Sequence, residues 1–259
     1  MQPLGVVTGS DVEAASVLDP ILDRLEERGT VGVVREGRAD ADRTVYEVDE
    51  TGWAAQGTGL SPEAALSKLA EDHDFGLLLG FPEASVPQVA VGTDAVAEPA
   101  VAAASAAGLD LADVEAAIEA AEPIENLDSL IAQVKASPKE DLAGAIATFT
   151  GRVRAKEGPD DEVTESLTFE KYEGVAAERM AEIEAELEDW DGVLEVAMHH
   201  RVGRIERGED IVFVVVLAGH REEAFEAVEA GINRLKDEVP IFKKETTEAE
   251  EFWRHERPV

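Results

Sequence analysis

The chain has 259 residues, and its 57 Asp and Glu against 23 Lys and Arg give a formal net charge of −34. This excess of acid excludes a general affinity for nucleic acid or anionic lipid, because both require cationic side chains that neutralise phosphates. A hydrophobic fraction of 44%, arranged in periodic segments, excludes a disordered acidic chain. The lack of cysteine excludes disulfides, cysteine nucleophiles and thiolate metal sites.

The composition also bears on the cellular setting. An acidic chain with few lysines and small apolar residues is typical of halophilic proteins, since its surface stays hydrated while salt screens the self-repulsion. No run approaches 18 apolar residues, and residues 1–9 lack the basic region and long apolar run of a signal peptide. We therefore expect a soluble, cytoplasmic protein.

The first half of the chain alternates predicted strands with predicted helices. A first helical stretch should end at Gly29. Within it, Asp19 can cap a new helical start with Pro20 at the first position, and a second helix should begin at Ser61. This order predicts a small α/β domain with a parallel sheet. Its strands are predicted over residues 4–7, 31–34, 44–48, 75–79 and 86–91.

The turn after the first strand lies where a P-loop would stand. A P-loop requires GxxxxGK[ST], whereas this turn is Gly9-Ser10-Asp11 and the first lysine of the chain is Lys68. The segments 4–9, 24–34 and 77–91 nevertheless resemble the molybdopterin-guanine dinucleotide biosynthesis adaptor family (MobB-like), a P-loop family, with its nucleotide motif lost. The alternative is an unrelated small α/β domain, and both interpretations predict no NTPase activity.

The second half of the chain predicts a separate domain. The composition shifts to alanine over residues 95–121, which places a boundary near residue 120 and gives domains 1–120 and 121–259. The second is predicted to be an α+β domain with long helices over residues 174–190 and 221–238. Its strands are predicted over residues 144–150, 163–172, 194–200, 210–218 and 241–245.

Most cationic side chains lie in the second half of the chain. Seven arginine, lysine and histidine residues there lie just after predicted strands or near the two ends of the last helix. They are Arg152, Arg154, His220, Arg221, Lys236, Lys243 and Lys244. We expect these segments to converge on one polyanionic substrate, helped by the free N–H groups at the start of the last helix. Plainer roles exist for each: His220 can cap the helix, Lys236 can offset its C-terminal dipole, and at most one of Lys243 and Lys244 points inward.

Other catalytic patterns are lacking. His199 and His200 are neighbours on a strand and face opposite ways, so we do not expect them to bind a metal together. The sequence contains no GxSxG or HExxH pattern, and no pair of carboxylates has a spacing that singles it out as acid and base. We expect no metal and no bound cofactor.

Eight segments between about residues 125 and 257 match a known family in order and spacing. They are 144–154, 196–202, 208–214, 220–221, 224–227, Lys236, 240–245 and Trp253. Together they closely resemble MoaE, the catalytic (large) subunit of molybdopterin synthase. The resemblance implies an α+β fold of the α/β hammerhead type and a homodimer. It also implies a small ubiquitin-like sulfur carrier (MoaD-like) docked on each protomer, which makes a heterotetramer.

The same resemblance implies an activity. The carrier's C-terminal Gly-Gly, activated as a thiocarboxylate, would give its sulfur to cyclic pyranopterin monophosphate (precursor Z), making the molybdopterin dithiolene. Lys236 and Lys243 would be catalytic, and His220 and Arg221 can serve the neighbouring protomer's site. The substrate-binding residues implied by the resemblance are Arg152, Val153, Arg154, His220, Arg221, Lys244 and Glu245.

Elementary chemistry agrees with that activity. A phosphate and a thiocarboxylate are both anions, so a cluster of cations lowers the cost of bringing them together, and a lysine there can act as acid, base or nucleophile. Without cysteine, the chain must receive its sulfur from a partner. Two alternatives are a non-catalytic adaptor that binds the pterin or the carrier, and a nucleotide-dependent adaptor acting through residues 1–120. The lysines could in addition accept isopeptide bonds from the carrier.

Overall fold

The computed structural model describes residues 1–37, 43–156, 158–171, 174–247 and 251–254. The chain divides into two compact units, Met1–Glu125 and Asn126–Val259, each with its own hydrophobic core. The second unit begins where Asn126 caps a helix, its side chain accepting a hydrogen bond of 2.9 Å from the backbone N–H of Ser129. The composition placed the boundary near residue 120.

The first unit is an α/β sandwich. Its elements are β1 (Gln2–Thr8), α1 (Ala14–Glu26), β2 (Val31–Arg35), β3 (Val45–Val48), β4 (Trp53–Gln56), α2 (Pro62–Leu69), β5 (Phe75–Leu79), β6 (Gln88–Val91), β7 (Val101–Ala103) and α3 (Leu111–Glu119). Five strands form a parallel sheet in the order β2-β5-β1-β6-β7. Helices α1 and α3 cover one face and α2 covers the other, so the predicted parallel α/β fold is confirmed.

Two local predictions for the first unit need correction. Pro20 does not restart a helix, because it lies inside α1, which stays continuous while Val17, Ile21 and Leu25 are buried in the core. The predicted strand near residues 44–48 does not join the parallel sheet either. It forms an antiparallel hairpin with β4, a strand that the sequence analysis missed.

The second unit is built from antiparallel sheets and helices. Its elements are α4 (Leu127–Lys135), β8 (Ala145–Arg152), β9 (Thr164–Lys171), α5 (Val175–Glu188), β10 (Val193–His200), β11 (Gly203–Glu206), β12 (Asp210–Ala218), α6 (Arg221–Glu238), β13 (Ile241–Thr247) and β14 (Glu251–Arg254). The described strands pair in the orders β10-β12-β8 and β11-β9-β13-β14. This arrangement confirms the predicted α+β class, and β11 and β14 are additions to the predicted strands.

The core of this unit lies on both faces of β12. Alternate β12 residues Val212, Val214 and Val216 pack with α5 and α6, while Phe213 and Val215 pack against α4 on the other face. Because both faces are covered, β12 is an almost continuous apolar run rather than an alternating one. Among the described residues, no helix is both long and apolar enough to cross a membrane.

Candidate active site

A cavity of about 430 Å³ opens in the second unit where β8, β9, α6 and β13 meet. Five of the residues singled out from the sequence line it: Arg152, Arg154, Lys236, Lys243 and Glu245. They come from the end of β8, the end of α6 and strand β13, whereas the other segment expected to converge here, residues 220–221, does not line the cavity. Four of them are cationic, which gives this cavity a positive wall in a strongly acidic chain.

Arg152 stands at the rim of the cavity, at the end of β8. Its Nε–H donates to Oδ1 of Asp210 over 3.0 Å, and its guanidinium also donates to the carbonyl of Gly208. The backbone of the next residue, Val153, exchanges hydrogen bonds of 2.9 Å with Glu209 and Gly208. These contacts fix the direction in which the chain leaves β8, and they leave the Arg152 side chain largely exposed to an incoming anion.

Lys236 lies on the last turn of α6, which is held in place by charged side chains. The Nε–H of Arg234 donates to Oε1 of Glu238 over 2.9 Å, and Arg179 of α5 donates to the same carboxylate. These two guanidinium groups lower the pKa of Glu238 to about 2. The helix then ends because Pro240 disfavours a helical conformation in Val239. The position of Lys236 is thus set by its neighbours on α6 and α5.

Strand β13 sorts the three residues Lys243, Lys244 and Glu245 by alternation. Lys243 and Glu245 pair with Phe169 and Leu167 of β9, and all four side chains line the cavity. Lys244 pairs with Thr168, and neither lines the cavity. The expectation that at most one of the two lysines points inward is met by the geometry.

The structure does not bring every predicted residue into the cavity. Val153 is 2% exposed and packs in the core, so its side chain cannot touch a ligand. His220 and Arg221 are exposed at the start of α6, about 22–24 Å from Lys236 along the helix axis at 1.5 Å of rise per residue. His220 occupies the N-cap position of α6, yet its side chain makes no capping hydrogen bond.

The cavity also contains polar residues that the sequence analysis did not place there. His200 lines it, is 6% exposed and contacts the ring of Phe169 edge-on, with 4.8 Å between ring centroids. Its Nδ1 lies 2.7 Å from the carbonyl oxygen of Arg201, an acceptor, so Nδ1 carries the proton. The alternation of Val196, Met198 and His200 along β10 was a sequence pattern that could have placed His200 on the inner face. No sequence pattern pointed to Thr164, the other polar residue of this kind.

Comparison with known proteins places the chain in a family. The family model described as MoaE protein matches residues 119–238. A relative from Haloferax volcanii, named probable molybdopterin synthase, is 48% identical over 264 residues, which cover 99% of this chain and 100% of the relative. The molybdopterin synthase catalytic subunit of Bacillus subtilis is 44% identical over 112 residues, covering 43% of this chain and 69% of the relative.

A solved structure, molybdopterin synthase from Staphylococcus aureus, is 32% identical, with a TM-score of 0.45, and covers 52% of this chain and 93% of that one. Because the Haloferax volcanii relative matches almost the whole chain, it carries a counterpart of the first unit as well. The likeness of that unit to the adaptor family stays a prediction. The identities and coverage over the second unit show that the chain belongs to the MoaE family, the catalytic subunits of molybdopterin synthase.

Proposed function

We propose that this molybdopterin synthase subunit transfers sulfur from the C-terminal thiocarboxylate of a small ubiquitin-like carrier to cyclic pyranopterin monophosphate. One observation carries the proposal. Arg152, Arg154, Lys236 and Lys243 line a single cavity in a chain whose net charge is −34. Four cations in one cavity of so acidic a chain suit a substrate with several negative charges.

The residues divide into two tasks. The two arginines at the end of β8 hold the phosphate of the pterin, since guanidinium groups match its oxygens in bidentate geometry. Lys236 and Lys243 face the thiocarboxylate and the reacting pterin carbons, where an ammonium neutralises the sulfur anion and moves protons during transfer. The apolar side chains of Phe149 and Phe169 line the same cavity and limit the access of water.

The proposal includes the assembly that the family resemblance implies. His220 and Arg221 are exposed and far from Lys236 along α6, so we assign them to the cavity of a neighbouring protomer in a homodimer. The carrier docks on each protomer and inserts its C-terminus into the cavity. The acidic composition supports a complex that works in a cytoplasm of high salt, where repulsion between acidic partners is screened.

Sulfur transfer in vitro tests the proposal. The purified chain, precursor Z and a thiocarboxylated carrier are mixed in molar KCl, and molybdopterin is followed by the fluorescence of its oxidised product. Lys236→Ala should lower the rate by about 10²–10⁴-fold, the range for loss of a proton-handling group. Lys135→Ala is the matched control, since Lys135 is an exposed lysine in the last turn of α4 and does not line the cavity.

Each outcome has a definite meaning. Product from the wild type and from Lys135→Ala, with little from Lys236→Ala, supports the enzyme and the role of Lys236. No product from the wild type, although the carrier binds, would reduce the chain to an adaptor. Equal rates for all three proteins would remove Lys236 from the catalytic machinery while leaving the sulfurtransferase activity in place.

A further inference from the structure

The carboxylate of Glu245 is an anion inside a cavity whose other charged residues are cationic. Glu245 is only 7% exposed, and a buried carboxylate is costly unless hydrogen-bond donors satisfy it. The hydroxyl of Thr164 donates to Oε1 of Glu245. Thr164 is itself 7% exposed and lines the same cavity. The two side chains therefore form a buried polar pair on the cavity wall.

A bulge in β9 aims Thr164 at Glu245. On β13, the consecutive residues Thr246 and Thr247 pair with Ser166 and Thr164, so Glu165 is an extra residue without a counterpart. Side chains alternate along a strand, and a regular register would turn Thr164 to the face of Ser166, away from the cavity. The extra residue returns Thr164 to the face that carries Leu167.

The backbone of Thr164 connects a second part of the site. Its N–H donates to the carbonyl of Ala155 over 2.8 Å, and Ala155 directly follows Arg154. One residue thus fixes the arginine segment through its main chain and Glu245 through its side chain. A displacement at Thr164 would reach both walls of the cavity.

We propose that Thr164 is a positioning residue that orients the Glu245 carboxylate toward the N–H groups of the bound pterin. A carboxylate only accepts hydrogen bonds, so Glu245 suits the N–H donors of the ring system, while the cations suit the phosphate. With one oxygen held by Thr164, the carboxylate presents a fixed acceptor direction. The inference rests on the proposed function, since it assigns a ligand contact within the same cavity.

The test compares two hydroxyl deletions on the same strand. Thr164→Val removes the donor to Glu245, and Ser166→Ala removes a buried hydroxyl that has no hydrogen-bond partner among the described residues. Thr164→Val should lower kcat/KM for sulfur transfer by about tenfold or more, the effect of losing one hydrogen bond to a charged group. Ser166→Ala should stay within about twofold of the wild type.

Two further variants separate positioning from general damage to the fold. Thr164→Ser keeps the hydroxyl and should return kcat/KM to within about threefold of the wild type. In a Glu245→Ala background, which removes the acceptor carboxylate, Thr164→Val should change kcat/KM by less than about twofold, because both substitutions remove the same contact.

The outcomes distinguish this inference from the proposed function. An inactive wild type refutes the proposed function. An active wild type with unaltered kcat/KM in Thr164→Val overturns the positioning role alone. Independent, multiplying losses in the double variant, or failure of Thr164→Ser to restore activity, also overturn it. Thermal unfolding of every variant identifies any loss that comes from unfolding.

Discussion

The two units differ in what they offer an anion, although both contain strand ends followed by helices. The first unit has a parallel sheet with a turn between β1 and α1, the position at which many α/β proteins hold phosphate. Here Asp11 and Glu13 stand at the helix start, and only six of the 23 Lys and Arg lie in this unit. The second unit concentrates cations at one cavity.

Gly9 shows why the first unit keeps a glycine in that turn. A Cβ added at Gly9 would lie 2.0 Å from the carbonyl oxygen of Gly92, so only glycine allows the ends of β1 and β6 to approach so closely. Packing explains the residue without any phosphate. Strand topology thus supplies a position for a ligand, whereas the side chains at that position decide whether a ligand binds.

The largest effect on the rate of sulfur transfer should come from removing a cation on the face of β13 that lines the cavity. Lys243→Ala should lower the rate of sulfur transfer by about 10²-fold or more, because it removes a cation from the cavity wall. Lys244→Ala, on the opposite face, should lower it by less than about tenfold. Steady-state kinetics of the two variants measure the difference. Equal losses would show that both lysines reach the substrate.

A smaller effect on stability should also come from the second unit. The carboxylate of Glu184 on α5 accepts a hydrogen bond of 2.6 Å from the N–H of Met198, at the edge of β10. Burial raises the pKa of Glu184 to about 7 from its ordinary value of 4.5. Since the folded pKa is raised, the stabilisation is fully present below about pH 4.5 and is lost as the pH rises through about 7.

Glu184→Gln should remove this dependence and raise the free energy of unfolding at pH 8 by about 1–2 kcal/mol. Urea unfolding between pH 5 and pH 8 in molar KCl measures it. Glu178→Gln, an exposed position on the same helix, is the control and should keep the wild-type slope. A wild-type slope in Glu184→Gln would assign the pH dependence to other groups.

The smallest effect, no detectable binding, is expected when nucleotide is added to test the first unit. Titration of the full chain with Mg·ATP should give no binding heat up to about 1 mM, because the β1–α1 turn has no lysine and carries Asp11. The titration is done in high salt on the chain alone, without the ubiquitin-like carrier, so that no second protein contributes to the heat. A saturable signal below that concentration would restore the nucleotide-dependent adaptor as a function of this unit.

The helices and strands with a regular spacing of apolar residues, and the residue types of the site, could be predicted from local sequence patterns. The spacing of apolar residues along α6 predicted that helix from Arg221 to Glu238, whereas the sequence predicted only that at most one of Lys243 and Lys244 points inward. The arginine pair at the end of β8 was visible because cations are rare in this chain. These patterns are local, so they can be recognised without knowing which strands pair with each other.

Which side chains share the cavity depends on how distant segments of the chain pack together. Thr164 reaches Glu245 through a bulge whose register depends on pairing between segments far apart in the chain, and no local pattern encodes that register. His220 and Arg221 fall outside the cavity because a rigid helix of 18 residues separates them from its other end. Local sequence fixes the direction of a side chain along its own element, whereas packing between elements fixes what that side chain meets.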